Sequence, residues 1–157
     1  MNVAITLAAC LLALPASGQD IRVINGDTIE MDGEVIGLWG IDAPELDQTC
    51  LRDGEVVAIG QISAEALEDL VSSKVLCIDV GTDPHGRAIA QCRVRADNSS
   101  DNFTTDLGLA LVSAGLAWDW PEYSEGAYSS AQARAQAIGL GVWAHDCIPP
   151  WEWRERN

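Results

Sequence analysis

Short runs of alternating apolar and polar positions fill the first half of the chain, and apolar positions at helical spacing fill the second. The alternation predicts strands at 21–24, 28–31 and 34–41, with Asp32-Gly33 as a tight hairpin turn between the last two. A polar loop at 46–55 leads to a helix at 61–72, where Ile62, Ala66, Leu67, Leu70 and Val71 recur on one face. A second hairpin pairs 75–80 with 87–95 across Gly81-Thr82-Asp83-Pro84-His85-Gly86. Leu76, Ile78 and Val80 read as the inward face of its first strand, and Ala88, Ala90, Cys92 and Val94 as that of its second. A polar loop at 97–101 precedes two more helices, 105–113 ended by Gly115 and 127–138 ended by Gly139 and Gly141. A tail containing Pro149-Pro150-Trp151-Glu152-Trp153 closes the chain.

Five short strands with a helix after the third, then further helices, describe an α+β fold: a five-stranded OB-type β-barrel with three packed helices. A chain of 157 residues holds one such domain. Residues 1–18 carry no charge and run from an apolar stretch to Ala16-Ser17-Gly18, the pattern of a secretory signal peptide cleaved before Gln19. The domain proper is then 19–157, periplasmic or secreted, not held in a membrane after cleavage, and expected to be a monomer.

Export changes the meaning of the cysteines. Cys10 leaves with the signal, and four remain for two disulfides in an oxidising compartment. Cys77 and Cys92 flank the second hairpin, which favours their pairing and leaves Cys50 with Cys147. An inward face of Leu76, Ile78 and Val80 would turn Cys77 outward and speaks against that pairing. Close C-x-x-C spacing, the usual zinc signature, is absent. The net charge of −15 is the wrong field for a polyanion and suits an acidic cleft that draws in cations.

The candidate chemistry lies in Asn25-Gly26-Asp27-Thr28 and Gly40-Ile41-Asp42-Ala43-Pro44-Glu45, which place three carboxylates at strand ends. Such oxygens suit a hard divalent cation. Arg87, in His85-Gly86-Arg87, brings the positive charge that a phosphodiester transition state needs. Taken singly, Asp27 reads as a turn residue, Asp42 as a loop cap and Arg87 as a strand-edge charge. His85 reads as a loop residue with no catalytic part. Trp39 and Trp143 read as core, whereas Trp118 and Trp120 either stack bases or pack the junction of helix and barrel.

These segments, with Leu111-Val112-Ser113-Ala114-Gly115-Leu116-Ala117 and Gly141-Val142-Trp143, resemble the staphylococcal nuclease family over about residues 22–143. The Pro-Trp-Glu-Trp-Arg ending at Arg154 looks like exported bacterial members. The resemblance implies a Ca²⁺-dependent nuclease acting on DNA or RNA. It implies that Asp27, Asp42 and the Ala43 carbonyl bind the cation, that Glu45 orients or deprotonates the attacking water, and that Arg87 grips the phosphate. Tyr123 keeps one tyrosine of the family's substrate groove, while a second falls on Pro121. The basic residue expected near Trp118 is missing as well.

One departure sets two readings against each other. The family carries an arginine five residues before the Asp42-type aspartate, and here that position is Gly37. Losing one transition-state donor costs about 10²–10³ in rate. Arg52 lies in the following loop within reach of swinging in, but nothing in the sequence shows that it does. The leading expectation is an exported nuclease of weakened activity; the other is a catalytically silent nuclease-like fold acting as a binding or structural module.

Overall fold

The computed structural model describes residues 18–95 and 103–157, without the side chains of Phe103 and Thr104. The signal segment up to Ser17 and the polar loop at 97–101 lie outside the described residues. The first half forms a three-stranded meander, β1 (Ile21–Asn25), β2 (Thr28–Met31) and β3 (Glu34–Leu38). Asp32 and Gly33, both at positive φ, make the two-residue turn between β2 and β3. A short β4 (Ile41–Asp42) follows, and then β5 (Cys50–Arg52) and β6 (Glu55–Val57). The predicted polar loop thus holds a hairpin of its own, turned by Asp53-Gly54 at the same positive φ values.

Helix α1 spans Ile59–Leu70, two residues earlier than the periodicity predicts. It buries Ile59, Gly60, Ser63, Ala64 and Leu67 and leaves Ile62 at the surface. The shift has a cause at the site: the first turn packs on the loop at Glu45, and an added Cβ on Gly60 would lie 1.8 Å from the Glu45 carbonyl oxygen.

Strands β7 (Val75–Thr82) and β8 (Ala88–Arg95) form the second hairpin, and β9 (Phe103–Asp106) adds to β8. The large sheet runs β1-β2-β3-β8-β7, with β3 and β8 parallel and the other pairs antiparallel. The expected inward face of β7 is corrected. Val75 is buried and Cys77 pairs with buried Cys92, so Leu76, Ile78 and Val80 stand on the outer face. A pleat has only two phases, and the inward Val75 and Cys77 choose the other one. With it falls the objection to the hairpin bridge: Cys77–Cys92 and Cys50–Cys147 are both disulfide-bonded.

Helix α2 (Leu107–Ser113) is capped by Asp106, whose side chain accepts from the Leu109 N–H at 2.9 Å. Strand β10 (Trp118–Asp119) pairs with β4, and α4 (Ser129–Ile138) packs against α2. Two further helices begin on proline, α3 (Pro121–Ser124) and α5 (Pro150–Arg156), where the ring's fixed φ favours a first turn. The tail at 149–153 is therefore a helix start. The main core joins Ile29, Ile36, Leu38, Leu67, Leu107 and Leu111, and a second cluster of Cys50, Ile59, Trp118 and Val142 seals the end that carries the tail. Among the described residues, no helix is long and apolar enough to cross a membrane.

Candidate active site

The turn from β1 to β2 presents Asp27. Its backbone carbonyl accepts from the Leu38 N–H at 2.7 Å, which ties the turn to β3. One carboxylate oxygen accepts from the Thr28 hydroxyl at 2.8 Å and the other from the Ala43 N–H at 2.9 Å. Burial pushes the Asp27 carboxyl up to about 6; the Ala43 and Thr28 bonds oppose this rise, and the nearby Asp42 and Glu45 charges add to it.

Asp42 ends β4, opposite Trp118 of β10, with its side chain 2 % exposed. Burial raises its pKa as well, against the hydrogen bonds and charge of Arg154 and, more weakly, the charge of Arg87. Glu45 lies three residues on, in the loop under α1. Its N–H donates to Gln48 Oε1 at 3.2 Å, and its carbonyl accepts from the Gln48 N–H at 2.8 Å.

Arg87 enters from the β7–β8 connection. Asp83 accepts from the backbone N–H groups of His85 and Arg87 and from Arg87 Nε at 3.1 Å, bonds that hold its carboxyl below the ordinary carboxylate range. This leaves Arg87 Nη1 to donate to the Thr28 hydroxyl at 3.2 Å, so Arg87, Thr28 and Asp27 form one chain of contacts. Asp27, Asp42, Glu45, Arg87 and Tyr123 all line one cavity of about 570 Å³.

The site role of Arg154 escapes sequence reasoning, and that of Trp120 is left open by it between base stacking and packing. Arg154, on α5, donates from Nη1 and Nη2 to the two oxygens of Asp42 at 3.0 and 2.8 Å, and from Nη1 to Glu45 Oε1 at 2.7 Å. Trp120 lines the wall beside Tyr123, their rings edge-to-face at 4.6 Å. The paired tryptophans therefore divide. Trp118 is buried against Trp143 and Trp151, and Trp120 faces the cavity. Arg52 sits on the β5–β6 hairpin and does not line the cavity. Gly37 does, and an added Cβ there would stand 3.6 Å from the Arg87 guanidinium and 2.8 Å from Ile89 Cδ1.

A model of the staphylococcal nuclease homologue family matches residues 35–145. The chain belongs to the staphylococcal nuclease family. It is 38 % identical over 134 residues to a succinoglycan biosynthesis protein of Rhizobium meliloti, a match covering 83 % of this chain and 66 % of that protein. It is 32 % identical over 145 residues to an uncharacterized endonuclease of Haemophilus influenzae, covering 87 % of this chain and 72 % of that one. An uncharacterized endonuclease of Escherichia coli O157:H7 is 30 % identical over 154 residues, covering 94 % and 90 %.

Whether these side chains suit a cation can be judged from their donors. Among the described residues, no three His, Cys, Asp or Glu side chains gather into a metal cage. Asp27 and Asp42 are both partly or fully buried carboxylates in mutual electrostatic contact. Each of their oxygens accepts one hydrogen bond and keeps a second lone pair. That donor set fits a hard cation that retains waters and shares Asp42 with Arg154.

Proposed function

We propose that this chain is an exported nuclease that hydrolyses phosphodiester bonds of DNA or RNA with Ca²⁺ as its cofactor. The observation that carries the reading is the convergence of Asp27, Asp42 and Glu45 with Arg87 on one cleft of a staphylococcal nuclease fold. The two relatives named as endonucleases support it. Two disulfides suit an oxidising compartment and support export of residues 19–157 after loss of the signal, to the periplasm or beyond the cell.

Asp27, Asp42 and the Ala43 carbonyl would hold the cation, which when bound polarises the phosphate and offsets charge as it develops. Glu45 would take a proton from a water through Oε2, since Oε1 is engaged by Arg154. The water oxygen bonds to phosphorus, the bond to the leaving oxygen breaks, and that oxygen takes a proton from solvent. Arg87, steadied by Asp83, would grip the non-bridging oxygens as they gain charge. Trp120 and Tyr123 offer ring faces to unstacked bases.

The test is cleavage of labelled single-stranded DNA by the mature protein at low salt, with Ca²⁺ and with chelator. Calcium-dependent cleavage lost in Asp42→Ala supports the reading; cleavage that persists in excess chelator would sink the metal role. The second reading, a silent nuclease-like module, is favoured by Gly37 and the charge of −15. A folded protein that binds Ca²⁺ and cleaves neither DNA nor RNA would establish it.

A further inference from the structure

We propose that Arg154 is the second phosphate-gripping guanidinium of this site, delivered from the C-terminal helix in place of the side chain that Gly37 lacks. This rests on the nuclease reading above and extends it to a residue outside the span of the family match.

The contact is built into the fold. Three devices fix the chain just before α5. The Cys50–Cys147 disulfide joins the tail to the strand that follows the Glu45 loop. Leu51 and Asp146 exchange backbone hydrogen bonds beside it, at 2.8 and 3.4 Å. Gln48, fully buried, accepts from the Glu45 N–H through Oε1 and donates through Nε2 to the Ile148 carbonyl at 2.8 Å. One side chain thus sets both the loop that carries Glu45 and the segment that launches α5. Pro150 is buried and starts the helix, and Arg154 lies one turn further on.

Position and charge agree with the role. The Arg154 side chain is 42 % exposed and lines the cavity that Arg87 also lines, so it meets both Asp42 and open space. Asp27, Asp42, Glu45 and the Asp83 paired with Arg87 line the cavity, so with Arg87 and a divalent cation alone the site stays negative by one. Arg154 brings the loaded site to neutrality, so an entering phosphodiester meets no net negative charge. Its planar fork, which now spans Asp42 and Glu45, matches two non-bridging phosphate oxygens equally well. At Gly37 an added Cβ would press on the tip of Ile89, at 2.8 Å from Cδ1, and stand 3.6 Å from the Arg87 guanidinium, so a side chain there has to displace Ile89 beside a charge already in place.

The experiment compares the mature wild type with Arg154→Ala, Arg154→Lys and Arg156→Ala, the last a neighbouring arginine paired with Glu152 outside the cavity. Four quantities are read: kcat and KM on single-stranded DNA, Ca²⁺ affinity by calorimetry, melting temperature, and anisotropy of a labelled phosphorothioate strand, which resists hydrolysis, in Ca²⁺. The proposal expects Arg154→Ala to lose about 10²–10³ in kcat with Ca²⁺ affinity not reduced and melting temperature in saturating Ca²⁺ held, Arg154→Lys to fall between, and Arg156→Ala to match wild type. Unchanged or faster cleavage by Arg154→Ala would overturn it, the latter marking Arg154 as a plug on Asp42. Parallel loss of cleavage, Ca²⁺ binding and thermal stability would also overturn it, since Arg154 would then only hold the carboxylates in place. If the wild type does not cleave, the nuclease reading fails and anisotropy alone decides: weaker binding by Arg154→Ala than by Arg156→Ala supports the phosphate contact, and equal binding refutes it.

Discussion

Arg154 and Asp42, 112 residues apart in sequence, meet through two parallel hydrogen bonds of 2.8 and 3.0 Å. The aspartate is almost fully buried, so its charge needs this partner or a cation. Asp42→Ala is expected to abolish Ca²⁺-dependent cleavage, by 10²-fold or more on the scale of about 10²–10³ for one transition-state contact. Cleavage kinetics beside calorimetric Ca²⁺ titration check this, and a variant that keeps both activities refutes the role of Asp42.

Gly37→Arg is expected to raise wild-type cleavage by less than about tenfold, well short of the factor of about 10²–10³ ordinarily attached to such a donor. Arg154 already supplies the second guanidinium, and the new side chain must first turn Ile89 aside. A gain of several orders of magnitude in steady-state rate would show a site still lacking that group.

The two disulfides should separate in their effects. Cys50–Cys147 closes 97 residues and Cys77–Cys92 closes 15, so the chain-entropy account assigns them about 4–5 and about 3 kcal/mol. Replacing Cys50 and Cys147 by serine should lower stability more in urea titrations. It should also reduce cleavage under conditions where the protein stays folded, because that bridge anchors the helix bearing Arg154. The Cys77, Cys92 double variant should keep its cleavage rate. Equal rates in both variants would detach the tail from the site.

Asp27 gives the metal-free protein a pH signature. Its folded pKa of about 6 stands above the ordinary 3.8. Between those values the folded chain keeps a proton that the unfolded chain has released, so this group's contribution to stability falls as pH rises through that window. Melting temperature in chelator should show this decline, and Asp27→Asn should flatten it. Added Ca²⁺ should raise melting temperature more at pH 7.5 than at pH 5, since the cation binds the ionised carboxylate. An equal Ca²⁺ effect at both pH values would remove Asp27 from the ligand set.

The tryptophans allow a division of labour to be measured. Trp120→Ala should weaken binding of a single strand by about 1–3 kcal/mol, the scale of one base stacked on an aromatic ring. Trp118→Ala should instead cost about 3–5 kcal/mol of stability, as large buried aromatics do. Fluorescence anisotropy and urea unfolding separate the two, and a Trp120 variant with wild-type affinity would return that residue to mere packing.

What the sequence determined by itself is local. Alternation and the Asp32-Gly33 turn place the first three strands, because a strand's pleat and a type I′ turn are set by residues next to one another. The motifs around Asp27, Asp42 and Glu45 likewise announce carboxylates at strand ends, and the structure brings them to one cavity with Arg87 and Tyr123. The Asp53-Gly54 turn carried the same signal and was hidden by the polar residues around it. Tertiary structure alone decided the rest. The phase of β7 depends on which of its two faces the core accepts, and Leu76, Ile78 and Val80 alternate as well outward as inward. The place of Arg154 depends on a disulfide across 97 residues, a buried glutamine and a helix started by proline, none of which has a period to read. A guanidinium at the end of the chain reaches Asp42 because folding closes that loop, and loop closure is a property of the whole chain rather than of any window within it.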